Sequence, residues 1–150
     1  MYFRFCELVR SETAQRMGID NRPPLRVIKH LRRLALGLDR VRRLVRRPLH
    51  ISSGYRSPAL NREVGGSPRS RHQAGFAADF VCPSFGTPFR ICSTIRRAGL
   101  RFEQMIHEFG DAPDGGWVHL GFSHRNRRRT LTIRTRTARY VRGIRPCLRR

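Results

Sequence analysis

Between Pro23-Pro24 and Pro48 the chain carries apolar residues at Val27, Ile28, Leu31, Leu34, Leu38, Val41 and Val45, three or four positions apart, with arginines on the other positions. A 3.6-residue period sustained over this length specifies an amphipathic helix. Proline can open such a helix but cannot continue it, so Pro48 ends it. One face packs inward and the other is cationic. The 150 residues suffice for one domain with a buried core. With 39% hydrophobic and 28% charged residues the chain is globular in composition, not disordered. No run of about 18 apolar residues occurs, which excludes a membrane-spanning helix.

Shorter signals surround the long helix. Ser11-Glu12-Thr13-Ala14 caps and starts a short helix that Gly18 stops. Leu49-His50-Ile51 reads as a strand running into Ser52-Ser53-Gly54. Ser57-Pro58 starts a helix and Gly65-Gly66 stops it. An irregular polar stretch, Ser67 to Gly75, leads to a small-residue strand from Ala77 to Cys82. Thr87-Pro88 begins another helix, which Gly99 closes. Phe102 to Phe109 and Trp117 to Phe122 form an antiparallel hairpin with a long turn, and Leu131-Thr132-Ile133 adds one more strand. There is no internal repeat. The expectation is a single α+β domain over 1–150, helices first and a mainly antiparallel sheet later, with a basic C-terminal tail.

Charge is the second constraint. Lys+Arg total 32 against 10 Asp+Glu, a net +22, and Lys29 is the only lysine. Eight arginines lie between Arg26 and Arg47 and eleven follow Ser123. Such charge draws a protein toward polyanions, with nucleic acid and an anionic cell envelope both candidates. A solvated helix face plus a basic tail explains it equally well. No RNA-binding aromatic motif, zinc-finger spacing or basic-zipper heptad accompanies the charge. Cys6, Cys82, Cys92 and Cys147 show no CxxC pairing and read as buried thiols of a chain made in a reducing compartment. The opening MYFRFCELVR has acid and arginine where a signal peptide would be apolar, so the chain is expected to be made in the cytoplasm without one.

The chemistry concentrates in Ser70-Arg71-His72-Gln73-Ala74-Gly75-Phe76-Ala77-Ala78-Asp79. His72 and Asp79 flank a glycine in a loop entering a strand, and His119 lies on the later hairpin strand. Imidazole, carboxylate and imidazole are a donor set that suits zinc, and three protein ligands leave a fourth position open. The same spacing also arises by chance.

Four segments follow in order: Ser53-Gly54-Tyr55-Arg56-Ser57-Pro58, Leu60-Asn61, Val64-Gly65-Gly66-Ser67, and Ser70-x-His72-x-x-Gly75-x-Ala77-x-Asp79. Phe102-Glu103-Gln104-Met105-Ile106-x-Glu108-Phe109 and Trp117-Val118-His119 come after them. Together they resemble the zinc D-Ala-D-Ala carboxypeptidase family of peptidoglycan peptidases, whose fold is shared with the hedgehog signalling domain. Glu7-Leu8-x-x-Ser11-x-Thr13-Ala14, Gly18-Ile19-Asp20-Asn21 and Tyr140-x-x-Gly143-Ile144 resemble a subgroup common in bacteriophage genomes.

The resemblance implies that His72, Asp79 and His119 bind Zn2+. It places Arg56 where the family has an arginine that binds the substrate carboxylate or steadies the oxyanion. Ser70 is a candidate for hydrogen bonding to substrate or to a metal ligand, or simply caps its loop. Tyr55 reads as packing, and Gly75 as backbone geometry. Family branches that place an acid or histidine just before the last ligand are not matched, because Gly116 and Trp117 stand there. The general base is then Glu108, which by period two shares a face with Gln104 and Ile106, or Asp114 in the turn. His107 points to the opposite face.

The implied function is zinc-dependent hydrolysis of peptidoglycan stem peptides, as a D,D-carboxypeptidase or an endopeptidase of endolysin type, acting at the bacterial cell wall or periplasm in phage lysis or on virion delivery. Anionic wall polymers are the expected second partner. The alternative is an idle relative of the same fold whose arginines bind nucleic acid or envelope polyanions.

Overall fold

Long helix and short strands assemble as the periodicities dictate. The computed structural model describes residues 2–112, 115–135 and 138–147. The elements run α1 (Phe5–Val9), α2 (Glu12–Met17), α3 (Leu25–Val45), β1 (His50–Ser53), α4 (Pro58–Glu63) and β2 (Ala77–Val81). They continue with α5 (Pro88–Arg97), β3 (Gln104–Glu108), β4 (Trp117–Gly121), β5 (Arg129–Ile133) and β6 (Val141–Arg142). The caps are those of the sequence: Ser11, Ser57 and Thr87 each accept a backbone N–H of the first turn of α2, α4 and α5.

All six strands form one sheet in the order β1-β2-β4-β3-β5-β6. Every pair is antiparallel except β3 and β5, which run parallel. The protein is therefore a mixed α+β structure. One face of the sheet presents Phe80, Met105, Val118 and Leu120, which pack with Leu31, Leu34 and Leu38 of α3 and with Ile91 and Ile95 of α5 in a single core. On the other face, register aligns Asp79, His119, Ile106 and Leu131 in one row across β2, β4, β3 and β5. Ile106, Leu131 and Ile133 make a second, small apolar cluster there, with Phe109 and Ala138 packed against it.

Several expectations need adjustment. Ile28 is 39% exposed, because the buried stripe of α3 runs through Val27 and Leu31 and passes beside it. The helix stops before Pro48, at Arg46, which adopts a left-handed φ of 53°. Cys82 and Cys92 are buried, but Cys6 is exposed and Cys147 intermediate, and all four are free thiols. The five-residue α1 and two-residue β6 are too short to leave a periodic signal. His107 is buried on the helix side of the sheet, with Nδ1 2.9 Å from the Arg145 carbonyl. No helix among the described residues is long and apolar enough to cross a membrane.

Candidate metal centre

Asp79 on β2 and His119 on β4 stand directly opposite each other in an antiparallel ladder, so their side chains leave the same face. His72 reaches them from the preceding loop. Its Nε2 lies 3.2 Å from Asp79 Oδ1 and 3.1 Å from His119 Nδ1, and His119 Nδ1 lies 2.9 Å from the same Asp79 oxygen. All three residues are buried.

These contacts fit a metal better than they fit one another. His72 Nδ1 lies 2.7 Å from the Gly54 carbonyl. A carbonyl only accepts, so Nδ1 carries the proton and Nε2 offers its lone pair. In the neutral ring that lone pair faces a carboxylate oxygen at 3.2 Å, a pairing that a second ring proton or a metal cation between them relieves. Tetrahedral zinc at its usual bond lengths separates N and O ligands by about 3.4 Å, close to the triangle seen here. Among the described residues this is the one group of three or more His, Cys, Asp or Glu with ligand geometry.

The surrounding chain aims these three side chains. Gly54 abuts the backbone of Leu8 so closely that an added Cβ would lie 2.2 Å from the Leu8 carbonyl oxygen, so only glycine can present its own carbonyl to His72 here. Gly75 holds a φ of +70° between His72 and Asp79, against Val27 of α3. The buried Asn61 donates to the carbonyls of Gly66 and Ser67 and fixes the loop's start. Arg71 pairs with the buried carboxylate of Glu103 and ties the loop to the strand side.

Ser70 Oγ accepts from the His72 backbone N–H, so this hydroxyl shapes the ligand loop. Arg56 donates from Nη2 to Asp79 Oδ2 at 2.6 Å and from Nε to Ser53 Oγ at 2.7 Å. The arginine thus touches the carboxylate oxygen that the histidines do not share. Burial, the largest influence on Asp79, works to raise its pKa, but the charges and hydrogen bonds of His72 and His119 outweigh it and hold the carboxyl well below the usual range.

Glu108 lies on the ligand face, opposite Trp117 and one pleat along β3 from Ile106, which faces His119. Burial pushes its pKa up to about 7; His119 and Arg56 pull it down and Asp79 pushes it up. The ladder places Glu108 on the same sheet face as His119, one same-face pair further along β3 and β4. Asp114 lies outside the described residues.

Three residues of the resembling segments acquire roles that sequence reasoning did not give them. Asn21 donates to the carbonyls of Val9 and Tyr55 and accepts from the Ser57 N–H, clamping both sides of the Gly54–Arg56 turn. Ser53 anchors Arg56. Tyr140, although exposed, senses the site's charge: desolvation pushes its phenol up, and the charges of Glu108 and Asp79 add to that. Only their presence in the quoted segments signalled them. A family model described as Peptidase M15 matches residues 1–120. No curated protein matches the chain.

Proposed function

This chain belongs to the peptidase M15 family, a family of metallopeptidases, and on that premise we propose that it is a zinc enzyme hydrolysing peptidoglycan stem peptides, as a D,D-carboxypeptidase or an endopeptidase of the phage endolysin type. One observation carries the reading: three buried donors from a loop and two adjacent strands converge within 3.2 Å, in a triangle that a tetrahedral cation fills.

His72, Asp79 and His119 hold the ion. When bound, zinc supplies Lewis acidity, lowering the pKa of a water to about 7 and polarising a carbonyl. The Gly54 carbonyl keeps His72 in the tautomer that ligates, and Arg56 keeps Asp79 turned with Oδ1 toward the histidines. Glu108 is the general base: its carboxylate takes a proton from the attacking water and hands it to the leaving amine. A carboxyl poised near neutrality suits both transfers. The partly buried guanidinium of Arg56 remains the group for an anionic oxygen of the substrate.

The fold is read as hedgehog/peptidase-like, the domain as one unit with a core over about 5–145, and the site of action as the bacterial wall. Mass spectrometry of purified peptidoglycan digested with and without a chelator tests the function. Release of D-Ala or of cross-link fragments, abolished by the chelator, is the expected result. Intact peptidoglycan with a metal-loaded protein overturns it and leaves the idle binder.

A further inference from the structure

The helix side of the sheet carries a second concavity. Six residues of α3 from Lys29 to Arg40 form one wall of a cleft of about 510 Å³, and Arg101 with the segment after β4 forms the other. Arg32 and Arg33 lie three and four positions after Lys29 and Arg40 lies seven, two turns, after Arg33, so the four project from one stripe of the helix. With Arg101 they bring five cations to one cleft, and no carboxylate lines it. All five are exposed, and among the described residues none of their side chains makes a hydrogen bond or ion pair. Five like charges gathered without a counter-charge repel one another, a cost that an anionic ligand removes. The floor is apolar: the Phe122 ring packs directly on Gly37, where a Cβ would come within 2.5 Å of it.

We propose that this cleft binds a phosphodiester-linked polyol wall polymer and so anchors the enzyme to its insoluble substrate. The volume lies in the range of ligand clefts and suits a flexible chain of a few phosphate units. Guanidinium forks match phosphate oxygens bidentately. His124 and Asn126 add hydrogen-bonding groups for the polymer's hydroxyls along the same wall. A nucleic-acid strand fits less well, because Phe102 and Phe122 are both buried and offer no ring face on which bases stack. The cleft lies on the opposite face of the sheet from the ligand row and is built partly from residues beyond the family match at 1–120. The choice of a wall polymer rests on the peptidase reading; the existence of a phosphate site does not.

The test compares two triple variants of the full chain that lose the same charge. Arg33→Gln, Arg40→Gln and Arg101→Gln strip the cleft, whereas Arg10→Gln, Arg16→Gln and Arg62→Gln remove exposed arginines that lie off α3 and outside it. Titration with labelled poly(glycerol phosphate) should show at least a tenfold weaker Kd for the cleft variant and less than a twofold change for the control. The slope of log K against log salt should fall by about 2 in the cleft variant, at about 0.7 per phosphate contact. Cleavage of a soluble stem peptide should be unchanged in both, so loss of anchoring and failure of the peptidase reading are read separately. Equal weakening in the two variants would reduce the effect to net charge and overturn the proposal. Tighter binding of an oligothymidylate of matched charge would overturn the choice of polymer.

Discussion

Arg56 donates to Asp79 Oδ2 at 2.6 Å while Asp79 Oδ1 faces His72 and His119, so one carboxylate is shared between a cation of the chain and the ligand cluster. Replacing Arg56 by Lys keeps the charge but cannot reach Ser53 and Asp79 with one planar fork. The expected outcome is a 10- to 100-fold weaker zinc affinity, typical of losing a group that orients a ligand, with activity partly restored by excess zinc. Chelator competition measures this. Unchanged zinc affinity with a raised KM would instead assign Arg56 to the substrate alone.

Removing a ligand acts differently. His119→Ala should abolish both stoichiometric zinc and peptide cleavage, measured by metal analysis and chromatography of the products. Full metal content in that variant would remove His119 from the ligand set.

Glu108→Gln should retain zinc yet lower turnover about 100-fold or more, since a general base holds no metal. Asp114→Asn is the control. A comparable loss there, with Glu108→Gln near wild type, would transfer the proton to the turn.

Glu108 also makes stability depend on pH in the metal-free protein. Its folded pKa is raised from an ordinary 4.5 to about 7, so the native state binds the extra proton between those values. Its stabilising contribution is complete below about 4.5 and is lost as pH rises through about 7. Relative to Glu108→Gln, the wild type should therefore lose up to about 3 kcal/mol across this window. Asp79 has the opposite sign and acts in a separate window: its lowered pKa gives stability that disappears only as pH falls below the usual carboxylate range. Denaturant melts of both proteins at several pH values check the difference.

Gly54→Ala touches no ligand, yet the new Cβ would lie 2.2 Å from the Leu8 carbonyl oxygen. The turn must shift and take with it the carbonyl that fixes His72. Weaker zinc binding together with a lower Tm is expected. A lower Tm with undiminished zinc affinity would show that His72 holds its tautomer without Gly54.

Much of this was legible in the residues because local rules carried it. The spacing of Val27, Leu31, Leu34 and Leu38 fixes the buried face of α3, and Ser11, Ser57 and Thr87 announce their helices. Period two on β3 places Glu108 on the ligand face and His107 behind it. Non-local pairing was not legible. That β5 joins β3 in parallel, skipping β4, depends on how the chain crosses after Phe122, and no local pattern encodes it. The clamp of Asn21 on Val9, Tyr55 and Ser57 spans up to 36 positions and is equally invisible to propensity. Arg56 shows the middle case: its motif marks it, but only the folded structure reveals that its fork is already engaged.

The ligand triangle has a mechanical side as well. His72 and His119 are 47 positions apart and sit on either side of the β2–β4 seam, in a chain whose four cysteines are all unpaired. An ion gripped by them is a cross-link, closing a long loop much as a disulfide would and withdrawing the same kind of disorder from the unfolded chain. Loading the metal should then harden the whole sheet against proteases, and an enzyme stripped of it becomes easier to digest as well as inert.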